Sequence, residues 1–154
     1  MWQRIQTVFL AIAILSLVST IFLPIWVYQE APGKDHALYA LHYSTTENGV
    51  KSTNYFPYSV TAMLAIAAAT LAFVQIGKYK DRLLQMKLGA LNSLFMAATI
   101  GSAVLFANQM FETFKGGHYG LGLWVPGIAV ICNLVSNRFI RRDEKLVRDS
   151  ERLR

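Results

Sequence analysis

Residues 7–27 read TVFLAIAILSLVSTIFLPIWV, an apolar stretch of 21 residues without an Asp, Glu, Lys or Arg. Three further uncharged stretches follow at 58–76, 88–110 and 121–135. The hydrocarbon core of a bilayer is about 30 Å thick, and a helix of roughly 20 residues crosses it. The four stretches therefore predict an all-α membrane protein, a bundle of four transmembrane helices.

The composition argues against an ordinary soluble domain. Hydrophobic residues make up 54% of the 154 residues and charged residues only 16%, whereas soluble domains have about 25% charged residues. The first stretch is longer than the apolar region of a signal peptide and no small-x-small cleavage site follows it, so we expect a retained helix. The single cysteine, Cys132, lies in the fourth stretch and is interpreted as a packed side chain.

The basic residues predict an orientation. Of the 15 Lys and Arg residues, only Lys34, Lys51 and Lys115 fall on one side of the predicted membrane, which leaves 12 on the other. Short loops rich in Lys and Arg remain in the cytoplasm, and an even number of helices places both termini together. This distribution also explains the net charge of +6 without nucleic acid.

We therefore expect a multi-pass membrane protein with both termini in the cytoplasm. The predicted segments are helices at 7–27, 58–76, 88–110 and 121–137, external loops at 28–57 and 111–120, a cytoplasmic loop at 77–87 and a cytoplasmic basic tail at 138–154.

The first external loop contains a β-hairpin signal. Residues 37–45 alternate in polarity and are followed by Asn48-Gly49, a dipeptide suited to the positive φ angles of a type I′ turn. One small hairpin between helices 1 and 2 is therefore predicted. The expected partners across it are Glu47 and Val50, Tyr43 and Asn54, His42 and Tyr55, and Leu41 and Phe56.

An isolated hairpin is marginally stable in water. We therefore expect Tyr39, Leu41 and Phe56 to contact helix ends, the membrane surface or a partner. The external histidines have no metal-ligand spacing, and we interpret them as solvated or packed side chains. They are His36, His42 and His118.

The predicted spans contain neutral polar residues instead of ionisable ones. Asn92 and Asn133 are expected to face other helices and form interhelical hydrogen bonds, because an unpartnered amide in lipid is costly. The alternative is a neutral polar translocation path formed by Asn92, Asn133 and Gln109. Small residues one turn apart predict close helix packing within the chain or, as the alternative, a dimer face. They are Ala65 and Ala69, Ala68 and Ala72, and Ala97 and Gly101.

The fourth stretch continues into the basic tail without a Gly or Pro, which predicts a helical extension. Phe139, Leu146 and Leu153 recur every seven residues and form a narrow apolar stripe on a charged helix. The tail is expected to contact anionic lipid of the inner leaflet or a partner's helix; a merely solvated tail remains open. The residues expected to make these contacts are Arg141, Arg142, Leu146 and Arg148.

The two ends of the chain carry a resemblance. The sequences WQRIQTV at 2–8 and NRFIRRDEKLVR at 137–148, with a final RLR, resemble the small four-helix membrane proteins of Bacteroidota that are catalogued as domain of unknown function 4293. The resemblance extends over the whole chain and implies the inner membrane of a Gram-negative cell. It brings no assigned activity, cofactor or catalytic residue.

Two functions follow from these observations. The first is a non-enzymatic accessory or scaffolding subunit that binds other inner-membrane proteins; the second is a small transporter or channel. An enzyme is not expected, because the external acidic residues and histidines have no usable spacing. No cofactor or metal is expected. The expected partners are the bilayer, anionic lipids at its cytoplasmic face, and other membrane proteins or a second copy of the chain.

Overall fold

Four helices, each long and apolar enough to cross a membrane, form the body of the protein. The structure is a computed structural model and describes residues 2–79 and 81–152. Consecutive helices pack side by side and the first packs against the last, which gives an up-down-up-down ring of four. The helices are α1 (Trp2–Phe22), α2 (Ser59–Gly77), α3 (Arg82–Phe114) and α4 (Leu121–Arg152).

Small side chains allow the helices to approach closely. On α2 the residues Ala65, Ala68 and Ala72 recur at helical spacing and are fully buried, so their backbone packs directly against its neighbours. Ala97 and Gly101 of α3, in contrast, face outward. Large apolar side chains cover the outside of every helix, as is typical of helices that face lipid. Examples are Leu15, Phe22, Met63, Phe73, Leu94, Leu105 and Ile131.

A five-stranded antiparallel sheet covers one end of the bundle, which we call the sheet end. The expectation of an all-α protein with one small hairpin is therefore wrong, because the predicted hairpin forms only two of the five strands. The strands are β1 (Pro24–Ala31), β2 (Lys34–Tyr39), β3 (Tyr43–Glu47), β4 (Val50–Asn54) and β5 (His118–Tyr119), in the order β4-β3-β2-β1-β5.

The Asn48-Gly49 turn is present, and its two residues have φ angles of +50° and +83°. Glu47 pairs with Val50 and Tyr43 pairs with Asn54, as predicted. The expected pairs beyond Tyr43 are absent from this ladder, because the chain turns at residues 40–42, where the Tyr39 N–H donates to the His42 carbonyl over 2.8 Å. Residues 37–45 therefore form parts of two strands.

The first helix has the predicted length of 21 residues, but it begins and ends five residues earlier than the predicted 7–27. It ends at Phe22 and Pro24 begins β1, because proline has no N–H to donate and its ring clashes with the preceding turn of a helix. Ile25 and Trp26, which the apolar stretch placed at the end of the helix, are buried between the sheet and α3. The apolar character of 24–27 thus comes from the core beneath the sheet.

The glycine-rich segment 115–120 is packed against β1. A Cβ atom on Gly117 would collide with the indole of Trp26, and one on Gly120 would collide with the Pro24 carbonyl. Gly117 also has a φ angle of +101°, which favours glycine. Close approach of the two backbones is what allows β5 to pair with β1.

Both described chain ends lie at the opposite end of the bundle, which we call the tail end. Asp81 caps α3 there, since its side chain accepts a hydrogen bond from Leu84 N over 3.0 Å. α3 is 33 residues long and extends beyond the predicted 88–110 in both directions. α4 continues unbroken to Arg152, in agreement with the uninterrupted sequence.

Candidate interaction surfaces and a buried polar cluster

Strand β4 forms a free edge of the sheet, and all five of its residues are exposed. In an antiparallel ladder, alternate residues exchange hydrogen bonds with the partner strand. Because the two-residue turn makes Glu47 and Val50 such a pair, the N–H and C=O groups of Lys51 and Thr53 point away from β3. A row of unpaired backbone groups is a template on which another strand can pair.

Apolar side chains adjoin this free edge. The exposed fractions are 73% for Val50, 57% for Tyr55 and 78% for Phe56. Leu41 is 37% exposed, whereas Tyr39 is partly covered and stacks on the His42 ring at 5.0 Å. The predicted interaction residues Leu41 and Phe56 therefore lie on the surface, and Tyr39 packs within the sheet.

The free edge of β4 cannot be recognised from the sequence. Its strand, VKSTN, is polar and carries no apolar alternation, so the sequence alone does not distinguish an exposed edge from a loop. The Asn48-Gly49 turn was the only local signal, and the unpaired outer side of β4 depends on how the whole sheet is ordered.

A chain of polar side chains crosses the sheet. Lys34 Nζ lies 2.7 Å from Glu30 Oε2, and the same carboxylate oxygen lies 3.2 Å from His36 Nε2. His36 Nδ1 is 2.6 Å from the Tyr43 hydroxyl oxygen. A carboxylate only accepts hydrogen bonds, so Nε2 carries a hydrogen, and a neutral ring then accepts from Tyr43.

These polar contacts connect strands β1, β2 and β3 and fix their relative positions. The hydrogen bonds from Lys34 and His36 hold the pKa of the Glu30 carboxyl below its usual value, and the same carboxyl raises the pKa of Lys34. His36 is 4% exposed, and its ring lies 4.5 Å from that of Phe114. Both ring nitrogens contact protein groups, so the imidazole is a connecting element of the sheet.

Neutral side chains form a second cluster, inside the bundle towards the tail end. We call it the core polar cluster. Asn133 Nδ2 on α4 donates to the Gly89 carbonyl and to Ser93 Oγ on α3, over 3.1 and 2.9 Å. Its members are each 4% exposed or less, and they come from all four helices: Gln6, Gln75, Gln85, Asn92, Asn133 and Ser136.

The cluster also connects helices on opposite sides of the ring. Gln75 Nε2 on α2 donates to Asn137 Oδ1 on α4 over 3.0 Å. Gln85 Nε2 on α3 donates to the Gln75 carbonyl over the same distance. These bonds join three helices at one level of the bundle.

Several buried amide atoms in the cluster have no hydrogen-bonding partner within the described residues. Asn92 is fully buried, and neither polar atom of its side chain has a hydrogen-bonding partner among the described residues. A buried amide without a partner is costly, so these groups suit a small polar species such as water. The other unpartnered atoms are Gln6 Nε2, Gln75 Oε1 and Asn133 Oδ1.

The residues of the predicted polar path do not all meet. Gln109 lies on the exposed surface of α3, one residue before the buried Met110, whereas Asn92 and Asn133 face the interior. Amides also do not titrate near neutral pH, so the core polar cluster can solvate a polar species but cannot carry a proton by acid–base exchange.

At the tail end, Arg82 holds α4 against the start of α3. Its guanidinium donates to the Asp143 carbonyl over 3.1 Å and lies 3.2 Å from the Asp143 carboxylate. The described helix continues for nine residues beyond Asp143, which is about 13 Å at 1.5 Å per residue. α4 therefore projects past its neighbours.

The predicted apolar stripe of the tail divides into two parts. Phe139 stacks on Phe9 of α1 at 6.0 Å and Ile140 is buried, whereas Leu146 is 59% exposed. Leu153, the third member of the stripe, lies outside the described residues. The arginines predicted to make contacts are exposed on the surface: Arg141, Arg142 and Arg148.

Together these features define a class of protein: a four-helix bundle with apolar outer faces, covered at one end by a small antiparallel sheet. The chain matches the family model described as "Domain of unknown function (DUF4293)" over residues 2–153. It therefore belongs to that family, as the resemblance at its two ends predicted. No curated protein matches the chain.

Proposed function

We propose that the protein is a multi-pass protein of the bacterial inner membrane, with the sheet outside and both termini in the cytoplasm. The apolar outer faces of the four helices support the membrane location. The charge distribution supports the orientation, because the three basic residues Lys34, Lys51 and Lys115 lie at the sheet end. The resemblance of the chain ends favours a member of the Bacteroidota as the source.

Within this membrane, the proposed role is that of a non-enzymatic accessory or scaffolding subunit that binds another membrane protein. The observation that carries this proposal is the free edge of β4, with outward-pointing backbone groups at Lys51 and Thr53. Strand addition to such an edge derives its affinity from main-chain hydrogen bonds and its specificity from adjoining side chains. The exposed apolar side chains beside the edge are suited to provide this specificity; they are Val50, Tyr55 and Phe56.

The projecting part of α4 supplies a second surface. Leu146 and Val147 are the two apolar residues of the segment 141–149, and its other residues are charged. Arg148 is one turn beyond Glu144, where an i,i+4 pair stabilises an exposed helix. A partner with a cytoplasmic helix of opposite charge would fit this surface. One subunit could in this way hold a partner on both sides of the bilayer.

The test uses a proline at the free edge. Thr53→Pro removes an outward N–H without removing a bond to β3, since edge strands tolerate proline at such positions; Thr53→Ala is the matched control. Tagged full-length protein is purified from native membranes in mild detergent, and the proteins that accompany it are identified. A partner that is retained by Thr53→Ala and lost by Thr53→Pro supports the proposal.

Two results would contradict the accessory role: recovery of free monomer alone in mild detergent, or equal recovery of the partner with both variants. If the retained partner is a second copy of the chain, the free edge mediates self-association and the scaffold is a homo-oligomer.

The second candidate function, a small transporter or channel, is favoured by the unpartnered Asn92 amide in the core polar cluster. It predicts solute flux in proteoliposomes that Asn92→Leu abolishes. Gln109→Leu is the control, because Gln109 lies on the exposed surface and should not affect a path through the core. Absence of flux in the wild-type protein would rule out this function.

A further inference from the structure

An open groove of about 600 Å³ lies between α3 and α4 near the tail end. On α4, Leu134, Arg138 and Arg141 follow at intervals of four and three residues, so they share one face of the helix. On α3, Ala90 and Ser93 are likewise three positions apart. We call this the basic groove, and its lining residues are Ala90, Ser93, Leu134, Asn137, Arg138 and Arg141.

The groove changes in character along its length. Leu134 is at the end towards the membrane centre, Asn137 is about one turn further, and Arg141 is one turn beyond that. At 1.5 Å per residue, the distance from Leu134 to Arg141 is about 10 Å. The order apolar, amide, guanidinium is that of the acyl chain, ester linkage and phosphate of a phospholipid at a membrane interface.

The polar positions of the groove are fixed by the core polar cluster. Ser93 Oγ accepts from Asn133 Nδ2 over 2.9 Å, and Asn137 Oδ1 accepts from Gln75 Nε2 over 3.0 Å. The bond to Gln75 orients the Asn137 amide, and its Nδ2 group is left to donate to another acceptor.

The arginines of the groove differ from Arg82 in their partners. Arg82 is neutralised by Asp143, whereas Arg138 and Arg141 form no ion pair within the described part of the chain. A guanidinium presents several N–H donors in a planar fork that matches phosphate oxygens. Basic pockets between helices at the cytoplasmic face of a membrane bind anionic head groups.

We propose that the basic groove binds one anionic phospholipid. Arg138 and Arg141 contact the phosphate, Asn137 Nδ2 donates to an ester or glycerol oxygen, and an acyl chain lies along Leu134 and the outward face of α3. Ala97 and Gly101 belong to that face. Because both residues are small, they leave room for the acyl chain. This inference rests on the membrane location of the helices and is independent of the accessory role.

Native mass spectrometry of the full-length protein in detergent tests the proposal, with phosphatidylglycerol as the anionic lipid and phosphatidylethanolamine as the zwitterionic one. The groove variant is Arg138→Gln with Arg141→Gln. The control is Lys78→Gln with Lys145→Gln, which removes the same charge from exposed residues of the tail end that do not line the groove. We expect one tightly bound phosphatidylglycerol in the wild-type protein and the control, and roughly 30-fold weaker binding in the groove variant.

A steric variant separates shape from charge. Ala90→Trp fills the groove and keeps both arginines, and because Ala90 is exposed, the helix should fold normally. It should weaken phosphatidylglycerol binding by at least tenfold, while circular dichroism and a monodisperse elution profile remain those of the wild type. If the groove variant misfolds, phosphatidylglycerol binding by Ala90→Trp therefore still tests the proposal.

Three results would overturn the proposal. Equal weakening in the groove variant and the control would mean diffuse attraction to the positive charge of the tail end. Equal binding of the two lipids would mean that the net negative charge of the head group is not recognised, because both lipids carry one phosphate. Competition by soluble glycerol phosphate at the same concentration would mean a phosphate site without a role for the acyl chain. Since no protein partner takes part, failure here leaves the accessory role untouched.

Discussion

Gly89 lies where the Asn137 amide of α4 contacts the backbone of α3. A Cβ atom at this position would collide with all three terminal atoms of the Asn137 side chain, and the Gly89 carbonyl accepts the hydrogen bond from Asn133. The glycine therefore makes space for the hydrogen bond between Asn137 and Gln75. One small residue thus supports bonds among three helices.

Gly89→Ala is expected to lower the thermal stability of the protein in detergent. Displacing the Asn137 amide leaves the buried Gln75 amide without its partner, which costs about 1–3 kcal/mol. Gly101→Ala is the control, because its Cβ would contact nothing within 4 Å, and alanine is favoured over glycine in a helix by about 1 kcal/mol. Equal midpoints of thermal unfolding for the two variants would contradict this role of Gly89.

The sequence also predicted some single residues better than others. Asn92 and Asn133 were expected to face other helices and to form interhelical hydrogen bonds. Both are fully buried, but of the two only Asn133 forms such bonds within the described residues. Gln109 was placed in a span without regard to its face, and it lies outside the core. Burial of a polar residue in a span follows from the positions of the neighbouring helices, which a single sequence does not contain.

At the scale of elements, the helices were predictable from length and composition because long uncharged runs are rare outside membranes. The hairpin was predictable from Asn48-Gly49 because its backbone requirement is local. β1 was not, since Ile25, Trp26 and Val27 prolong an apolar run without interruption. Pro24 was the available signal for the end of the helix. β5 has two residues, and its pairing with β1 depends entirely on tertiary contacts.

Acid is expected to weaken the sheet. Burial, together with the charge of Lys51, lowers the pKa of His42 from its ordinary 6.5. The unfolded chain then binds a proton before the folded one does, so stability falls as the pH drops below about 6.5. The Glu30 carboxyl acts in the same direction below its ordinary pKa of 4.5, because its folded pKa is also lowered.

Hydrogen exchange of the β3 and β4 amides between pH 7 and 5, corrected for intrinsic rates, measures this effect. Protection is expected to decrease towards pH 5 in the wild-type protein. His42→Gln should remove most of that decrease, since Glu30 titrates below this range. An unchanged profile in His42→Gln would exclude His42 as the cause.

At the scale of the whole molecule, the basic residues are distributed unequally between the two ends of the bundle. Among the described residues, the sheet end contains three basic residues and the tail end ten, and the bundle between them buries neutral amides in place of ions. We expect such an arrangement to insert into a bilayer in one direction, because moving Lys or Arg across a bilayer is costly. The sheet and the chain ends should therefore be accessible from opposite sides.

Cysteine labelling in a Cys132→Ala background tests this orientation. Ser52→Cys lies on the exposed β4 and should react with a membrane-impermeant maleimide in spheroplasts, whereas Lys145→Cys should react only after lysis. Both positions are exposed on the protein, so a difference in labelling reports the membrane and not local packing. The reverse pattern would invert the orientation, and labelling of both positions in sealed spheroplasts would show that the bundle does not span the bilayer. The reverse pattern would also move the free edge of β4 away from an external partner, because that edge lies at the sheet end in every orientation.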